Sequence, residues 1–356
     1  MQKRKIKIGL TAGDINGIAT ELIIKTFSDK RIFNYCTPIL YSSPSVLAYY
    51  KKVLKIEQLN FQAIADADNA KDKALNVIRV WSEEISISMG KRDKGLDRFS
   101  LKSIENAVAD LKAKKLDALV TLPVSKSVFQ LTDEKFSGHT EFLCDRLEQK
   151  NNLMIMVNDH LKVALTTIHI PIHKVAESIN QALIVDKAKL LHQSLKYDFG
   201  IEKPKLAILA LNPHAGDDGL TGNEEIEIIK PAISQLNDEK ILCFGPFPAD
   251  GFFGSGNYLK FDGTLAMYHD QGLAPFKLVA GSIGGGVNYT AGMDYVRTSP
   301  DHGPAYDVAG KGISKIDSFR EAIFKAKDIV LARRAFDERH LNPLKKENLK
   351  EASIRE

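Results

Sequence analysis

The sequence predicts an α/β fold on a largely parallel sheet, and three observations predict it. Short β-branched runs alternate with longer amphipathic segments over most of the 356 residues, the pattern of strands joined by crossover helices. That length suffices for two domain-sized units or one large α/β unit with a sizeable core. The composition, 44% hydrophobic and 26% charged, is that of a soluble globular chain without low-complexity segments.

The elements follow in order. "KIKIGL" (5–10) reads as the first strand and 16–27 as a helix; "TPILYS" (37–42) is a strand and 44–55 a helix. Helix 99–115 is the clearest, because Leu101, Ile104, Val108 and Leu111 recur at helical spacing with lysines and acids between them. "LDALVTL" (116–122) follows as a strand, then a helix at 139–149 and the strands "LMIMVN" (153–158) and "KVALTTI" (162–168). Helices at 173–182 and 186–199 lead to "KLAILAL" (205–211), a helix at 222–237, and the strands "KILCFG" (240–245) and "GTLAMY" (263–268). A helix at 318–336 closes the pattern, and the charged, apolar-poor end is expected as a solvated tail at 346–356.

The bulk properties exclude several function classes. A net charge of +4 spread without basic blocks gives no footprint for nucleic acid, so any positive charge that matters is local, around an anionic substrate. Cys36, Cys144 and Cys243 are odd in number and in no CxxC arrangement, which implies free thiols in a reducing compartment. The apolar stretch of "MQKRKIKIGLTAGD" is too short for a signal peptide and is interrupted by Asp14. The uncharged stretch 278–293 is too rich in glycine and polar residues to span a membrane. A cytoplasmic location is expected. No GxGxxG follows the first strand and no GxxxxGK[ST] occurs, so a dinucleotide would be held without the usual fingerprint.

Three histidines share one context. "VALTTIH" ends at His169, "LAILALNPH" at His214 and "GTLAMYH" at His269. Ligands of α/β sheets bind outside the carboxyl ends of the strands, so these imidazoles converge if their strands are neighbours. Three nitrogens with open positions suit a catalytic divalent metal. Any one of them alone is better read as a capped, hydrogen-bonded structural residue, and it is the three in one context that point to a site. A second cluster points to an anion: "SGHTE" (137–141) puts His139 and Thr140 at a helix start, and Lys277, Asn288 and Arg297 follow His269. His302 in "DHG" (301–303) reads equally as a turn cap.

Taken together, these motifs resemble the 4-hydroxythreonine-4-phosphate dehydrogenase family of vitamin B6 biosynthesis. The resemblance rests on "GDINGIATE" (13–21), "SGHTEFL" (137–143), "TTIHIP" (166–171), "LNPHAGDDG" (211–219), "GPFPAD" (245–250), "AMYHDQGLAPFK" (266–277), "GVNYTAG" (286–292) and "RTSPDHGPAYDVAG" (297–310). It implies a fold like isocitrate and isopropylmalate dehydrogenases. That fold has two α/β subdomains (approximately 1–135 plus 305–345, and 136–304) around a cleft, in a homodimer that completes each active site. By motif, His169, His214 and His269 take the metal positions, for one zinc, magnesium or cobalt ion. His139, Thr140, Lys277, Asn288 and Arg297 take the substrate positions. Asp250 and Asp270 are candidate proton acceptors, or partners orienting a ligand histidine. Ile15, Ala19 and Thr20 replace a proline, a glycine and a proline of the family's first motif, and Gly251 replaces a threonine.

The implied reaction is oxidation of 4-phosphohydroxy-L-threonine at C3 by NAD or NADP, followed by loss of CO2. Relatives acting on phosphorylated four-carbon sugar acids such as threonate 4-phosphate share these motifs. A metal-dependent hydrolase, or a non-catalytic sensor of phosphometabolites, is the reading from another class.

Overall fold

A computed structural model of the protein describes residues 5–134, 136 and 138–341, so the tail expected at 346–356 lies outside the described residues. Twelve strands form one sheet: β1 Lys7–Thr11, β2 Thr37–Ser42, β3 Phe61–Ile64, β4 Leu75–Arg79, β5 Ala118–Val120, β6 Leu153–Val157, β7 Lys162–Leu165, β8 Lys205–Leu209, β9 Leu242–Phe247, β10 Gly263–Ala266, β11 Val287–Ala291 and β12 Arg297–Pro300. Their order across the sheet is β3-β4-β2-β1-β5-β12-β11-β6-β7-β10-β8-β9. The helices are α1 Ala19–Ser28, α2 Pro44–Leu54, α3 Asp97–Lys112, α4 His139–Arg146, α5 Val175–Ser178, α6 Gln181–Tyr197, α7 Lys230–Asp238, α8 Ala249–Gly254, α9 His269–Ile283 and α10 Asp317–His340.

The sheet is largely parallel, as the sequence predicts. The three exceptions sit together at its centre, where β12 with β11, β11 with β6, and β6 with β7 pair antiparallel. Three reversals in a row set the run from β3 to β12 opposite in direction to the run from β7 to β9. β12 comes from residues after β11 yet joins the first run by pairing parallel with β5.

Strands buried on both faces read as unbroken apolar runs, and β6 (LMIMV) is buried at every position. One face of the central antiparallel strands is covered by α10. Thr298, on β12, donates its hydroxyl to the Ala322 carbonyl of that helix. Along α10, Phe319, Ala322, Ile323, Ala326, Ile329 and Val330 form a buried stripe at three- and four-residue spacing. Each fully buried Ile or Phe contributes about 1.5–3 kcal/mol, an upper estimate.

Several elements depart from the sequence reading. β4 hides behind Asn76, a buried amide whose Nδ2 donates to the Pro38, Lys71 and Ala74 carbonyls at 3.0–3.1 Å. Residues 173–182 form only a 3-10 turn, Ile172–Lys174, and the short α5, because Asn180 already caps α6 by accepting from the Leu183 N–H. Helix 222–237 begins as a π turn, Glu225–Ile229, and becomes α-helical only at Lys230. α9 runs into the stretch 278–293, read as rich in glycine and polar residues, and was not expected as a helix. Its Gly272 allows close packing on β7, since a Cβ there would lie 2.7 Å from Val163 and 2.8 Å from Leu165.

Candidate active site

Strand register puts a polar face on the uncovered side of the central strands. Asn288 pairs with Ser299 across β11 and β12 and with Met156 across β11 and β6. Because side chains alternate, Arg297, Ser299, Asn288, Thr290, Met154 and Met156 share that face. It forms one side of a cleft of about 380 Å³. The carboxyl ends of β5 and β12 border the cleft with Lys126, Asp301 and His302. Those of β7 and β10 border it with His169 and His269.

Arg297 is 2% exposed. Its Nε and Nη2 donate to Thr121 Oγ1 at 3.0 and 2.6 Å, and its Nη1 donates to Thr290 Oγ1 at 3.1 Å. Two of its five N–H groups are left, and no carboxylate among the described residues pairs with it. Burial lowers its pKa to about 10. Isolated buried charge is costly, so a guanidinium kept in this state is poised for an anion from outside the chain.

The start of α4 brings His139 and Thr140 to the cleft, with the helix N-terminus opening onto it. The His139 ring packs edge-on against Phe129, with centroids 4.9 Å apart. Among the described residues its buried Nε2 has no partner, and Asn288 Oδ1 and His302 Nε2 are in the same state. Burial pushes the His139 imidazole well below the ordinary histidine range, and the nearby Arg297 charge pushes in the same direction. Lys277 lines the cleft from α9, eight residues or roughly 12 Å along the helix from His269.

The imidazole edge is less complete. β7, β10 and β8 are adjacent parallel neighbours, so the sequence condition for convergence is met at the level of topology. The His169 and His269 ring centres are 5.9 Å apart. Two imidazoles sharing one ion at roughly 2.1 Å per bond have ring centres roughly 5–6 Å apart, so this pair fits a divalent ion. Burial first, then Lys126 and His269, lowers the His169 pKa and keeps it a neutral donor. His269 Nδ1 lies 2.7 Å from Asp270 Oδ1. That contact makes Nδ1 the proton-bearing nitrogen and leaves the Nε2 lone pair for a ligand.

His214 stands apart. It is exposed and opens a turn in which His214, Ala215, Gly216, Asp217 and Asp218 all have left-handed φ, between 45° and 80°. Four of these carry a Cβ, at a cost of about 1–2 kcal/mol each. Buried Glu225 fastens the base of the loop by accepting the Leu211 and Asn212 N–H groups, both at 2.8 Å. Among the described residues, no group of three or more His, Cys, Asp or Glu side chains stands together to hold a metal.

Of ten residues nominated from sequence, seven line one cleft: His139, Thr140, His169, His269, Lys277, Asn288 and Arg297. His214 and Asp250 do not, and Asp270 touches the site through His269. Asp250 is exposed in the first turn of α8. Lys126 and Asp301 were missed, although both follow strand ends, and His302 faces the cleft rather than merely capping a turn. The three cysteines are free and buried. Among the described residues no helix is long and apolar enough to cross a membrane.

Comparison with known proteins bears on this arrangement. Residues 34–326 match the family model described as pyridoxal phosphate biosynthetic protein PdxA. A 4-hydroxythreonine-4-phosphate dehydrogenase of Bacteroides thetaiotaomicron is 47% identical over 98% of this chain and 95% of its own length. The crystal structure of a 4-hydroxythreonine-4-phosphate dehydrogenase from Klebsiella pneumoniae superposes with a TM-score of 0.79 at 29% identity, covering 93% of this chain and 99% of that one. A terephthalate 1,2-cis-dihydrodiol dehydrogenase from Burkholderia xenovorans shares the fold, with a TM-score of 0.58 at 23% identity over 91% of this chain and 98% of that one.

Proposed function

The chain belongs to the pyridoxal phosphate biosynthetic PdxA family, and from that membership we propose that it acts as a 4-hydroxythreonine-4-phosphate dehydrogenase. It oxidises C3 of 4-phosphohydroxy-L-threonine with NAD+ or NADP+. The product, 2-amino-3-oxo-4-phosphooxybutanoate, loses CO2 to give 3-amino-2-oxopropyl phosphate. The observation that carries this reading is Arg297, buried with no carboxylate partner among the described residues in a cleft shared with Lys277 and His139.

In this reading Arg297, Lys277, His139 and Thr140 hold the phosphate, which places C3 at the imidazole edge. One divalent ion, zinc, magnesium or cobalt, would be held by His169 and His269, with His214 as third ligand. His169, His269 and Asp270 also line a second concavity of about 320 Å³, whose apolar wall of Ile168, Ile170, Ile172 and Val175 would suit a nicotinamide ring. When bound, the ion would supply Lewis acidity and the nicotinamide a hydride acceptor. Asp270 fixes the His269 tautomer and so acts as its orienting partner.

The reading includes a cytoplasmic homodimer whose partner completes each cleft. Exposed Leu220 and Ile226 follow His214, a distribution suited to a covered face. His214 and Asp250, outside their own chain's cleft, are the side chains such a partner would bring. Light scattering should report a dimer at assay concentrations; an active monomer would sink that part.

The test is incubation with 4-phosphohydroxy-L-threonine and NAD+ or NADP+, with and without a chelator. Reduced cofactor should form, CO2 should follow, and chelation should stop both. Phosphate release without cofactor reduction would make the protein a hydrolase instead.

A further inference from the structure

The loop that carries His214 is strained, and strain of this kind persists only where the surrounding structure over-determines it. Within the loop, the Thr221 N–H and hydroxyl donate to the Gly216 and Pro213 carbonyls, both at 3.1 Å. A stronger tie comes from Glu225, 1% exposed at the start of the π turn that leads into α7. Its Oε1 accepts the Leu211 and Asn212 N–H groups, both at 2.8 Å, and its Oε2 accepts Asn212 Nδ2 at 2.9 Å. Glu224 Oε2 accepts from the same amide nitrogen at 2.7 Å. The loop then closes over the carboxyl: Gly216 has a φ of 80°, and a Cβ there would stand 2.7 Å from Glu225 Oε2.

Among the described residues no cation pairs with Glu225, and its side chain bonds only to Leu211 and Asn212. An apolar side chain of similar volume would fill the same space at a lower desolvation cost. What the carboxyl adds is a fixed backbone two residues before His214. We propose that Glu225 is a positioning residue: through Leu211 and Asn212 it sets where the His214 ring stands, and thereby how tightly the divalent ion binds. The inference rests on the reading of His214 as third ligand and adds the residue that holds that ligand in place.

The test is a double-mutant cycle on zinc affinity. The full chain is stripped by a chelator and titrated with zinc against a zinc-sensitive dye, as wild type, Glu225→Gln, His214→Ala and the double variant. Glutamine keeps the size and one acceptor oxygen, but its NH2 group meets Asn212 Nδ2 donor to donor, so the clamp opens on that side. Glu225→Gln should weaken zinc binding about tenfold or more, and His214→Ala by at least as much. The double variant should lose no more than about twofold beyond His214→Ala, because Glu225 acts through that ring. Asn212→Ala removes the Oε2 bond alone. It should weaken zinc binding by a smaller factor that also vanishes beside His214→Ala, and it serves as the readout if Glu225→Gln melts early. Losses that multiply in the double variants would make Glu225 a support of the fold at large and overturn the inference. Wild-type zinc affinity in Glu225→Gln, with His214→Ala impaired, overturns it while leaving His214 a ligand. Wild-type zinc affinity in His214→Ala removes the ligand reading and the inference together.

Discussion

The two borders of the cleft are built differently. The anion side stands on strands: Arg297, Asn288 and Ser299 share a face fixed by register, and Arg297 is locked by two buried threonine hydroxyls. The imidazole side stands three to five residues past the ends of β7, β8 and β10, on loops for His169 and His214 and on the first residue of α9 for His269, with two rings at the cleft and the third on a left-handed turn outside it. A sheet pays for preorganisation once, in its core. Loops leave a site open until something fills it. Under the proposed function, the strand side would be a preformed anion receptor and the imidazole edge the part that its ligands complete.

Replacing Arg297 should expose the contrast most sharply. Arg297→Met is expected to lower kcat/KM on the order of a hundredfold, since a buried charge-assisted bond to phosphate is worth about 1.5–3 kcal/mol. The same change removes an uncompensated buried charge, so the free protein should keep its stability or gain some. Chemical denaturation alongside kinetics checks both halves. A variant that unfolds readily would mean that Arg297 supports the sheet rather than the substrate.

The loop side should respond in the opposite manner. Asp270→Ala should weaken divalent-metal affinity about ten- to a hundredfold, with activity returning as metal is added. His214→Ala should change unfolding free energy by no more than about 0.5 kcal/mol, because the ring is exposed, yet should cut activity. Full activity in His214→Ala would remove it from the ligand set.

The smallest expected effect is on pH dependence. His139 is buried and its folded pKa lies well below that of the unfolded imidazole, about 6.5. Above that value the group contributes no slope. As pH falls below it, the unfolded chain binds a proton that the folded one refuses, so stability drops by up to about 1.4 kcal/mol per pH unit. Between about pH 5 and 6.5, His139→Asn should flatten the stability curve by one proton. An unchanged slope would show that the folded ring protonates freely.

Much of this was legible in the residues, and the rest failed for physical reasons. "TPILYS" coincides with β2 because a strand buried on both faces is apolar throughout. β11 (VNYTA) and β12 (RTSP) escaped because the polar side chains that make the site break the apolar pattern that marks a strand. α9 was masked by Pro275 and by Gly272, a glycine needed for packing on β7. The five residues expected to hold substrate line one cleft, since strand register and helix starts fix them locally. The place of His214 was not legible: no residue in "NPHAGDDG" announces five consecutive left-handed positions held by Glu225 from the next element.

The most direct test is calorimetric titration of 4-phosphohydroxy-L-threonine into protein stripped of metal by a chelator. A preformed anion side predicts that stripped wild type still binds, within about tenfold of the metal-loaded affinity, and turns nothing over. Stripped Arg297→Met should bind at least about tenfold more weakly than stripped wild type. Binding that vanishes with the metal, or that is equal in wild type and Arg297→Met, would contradict the account.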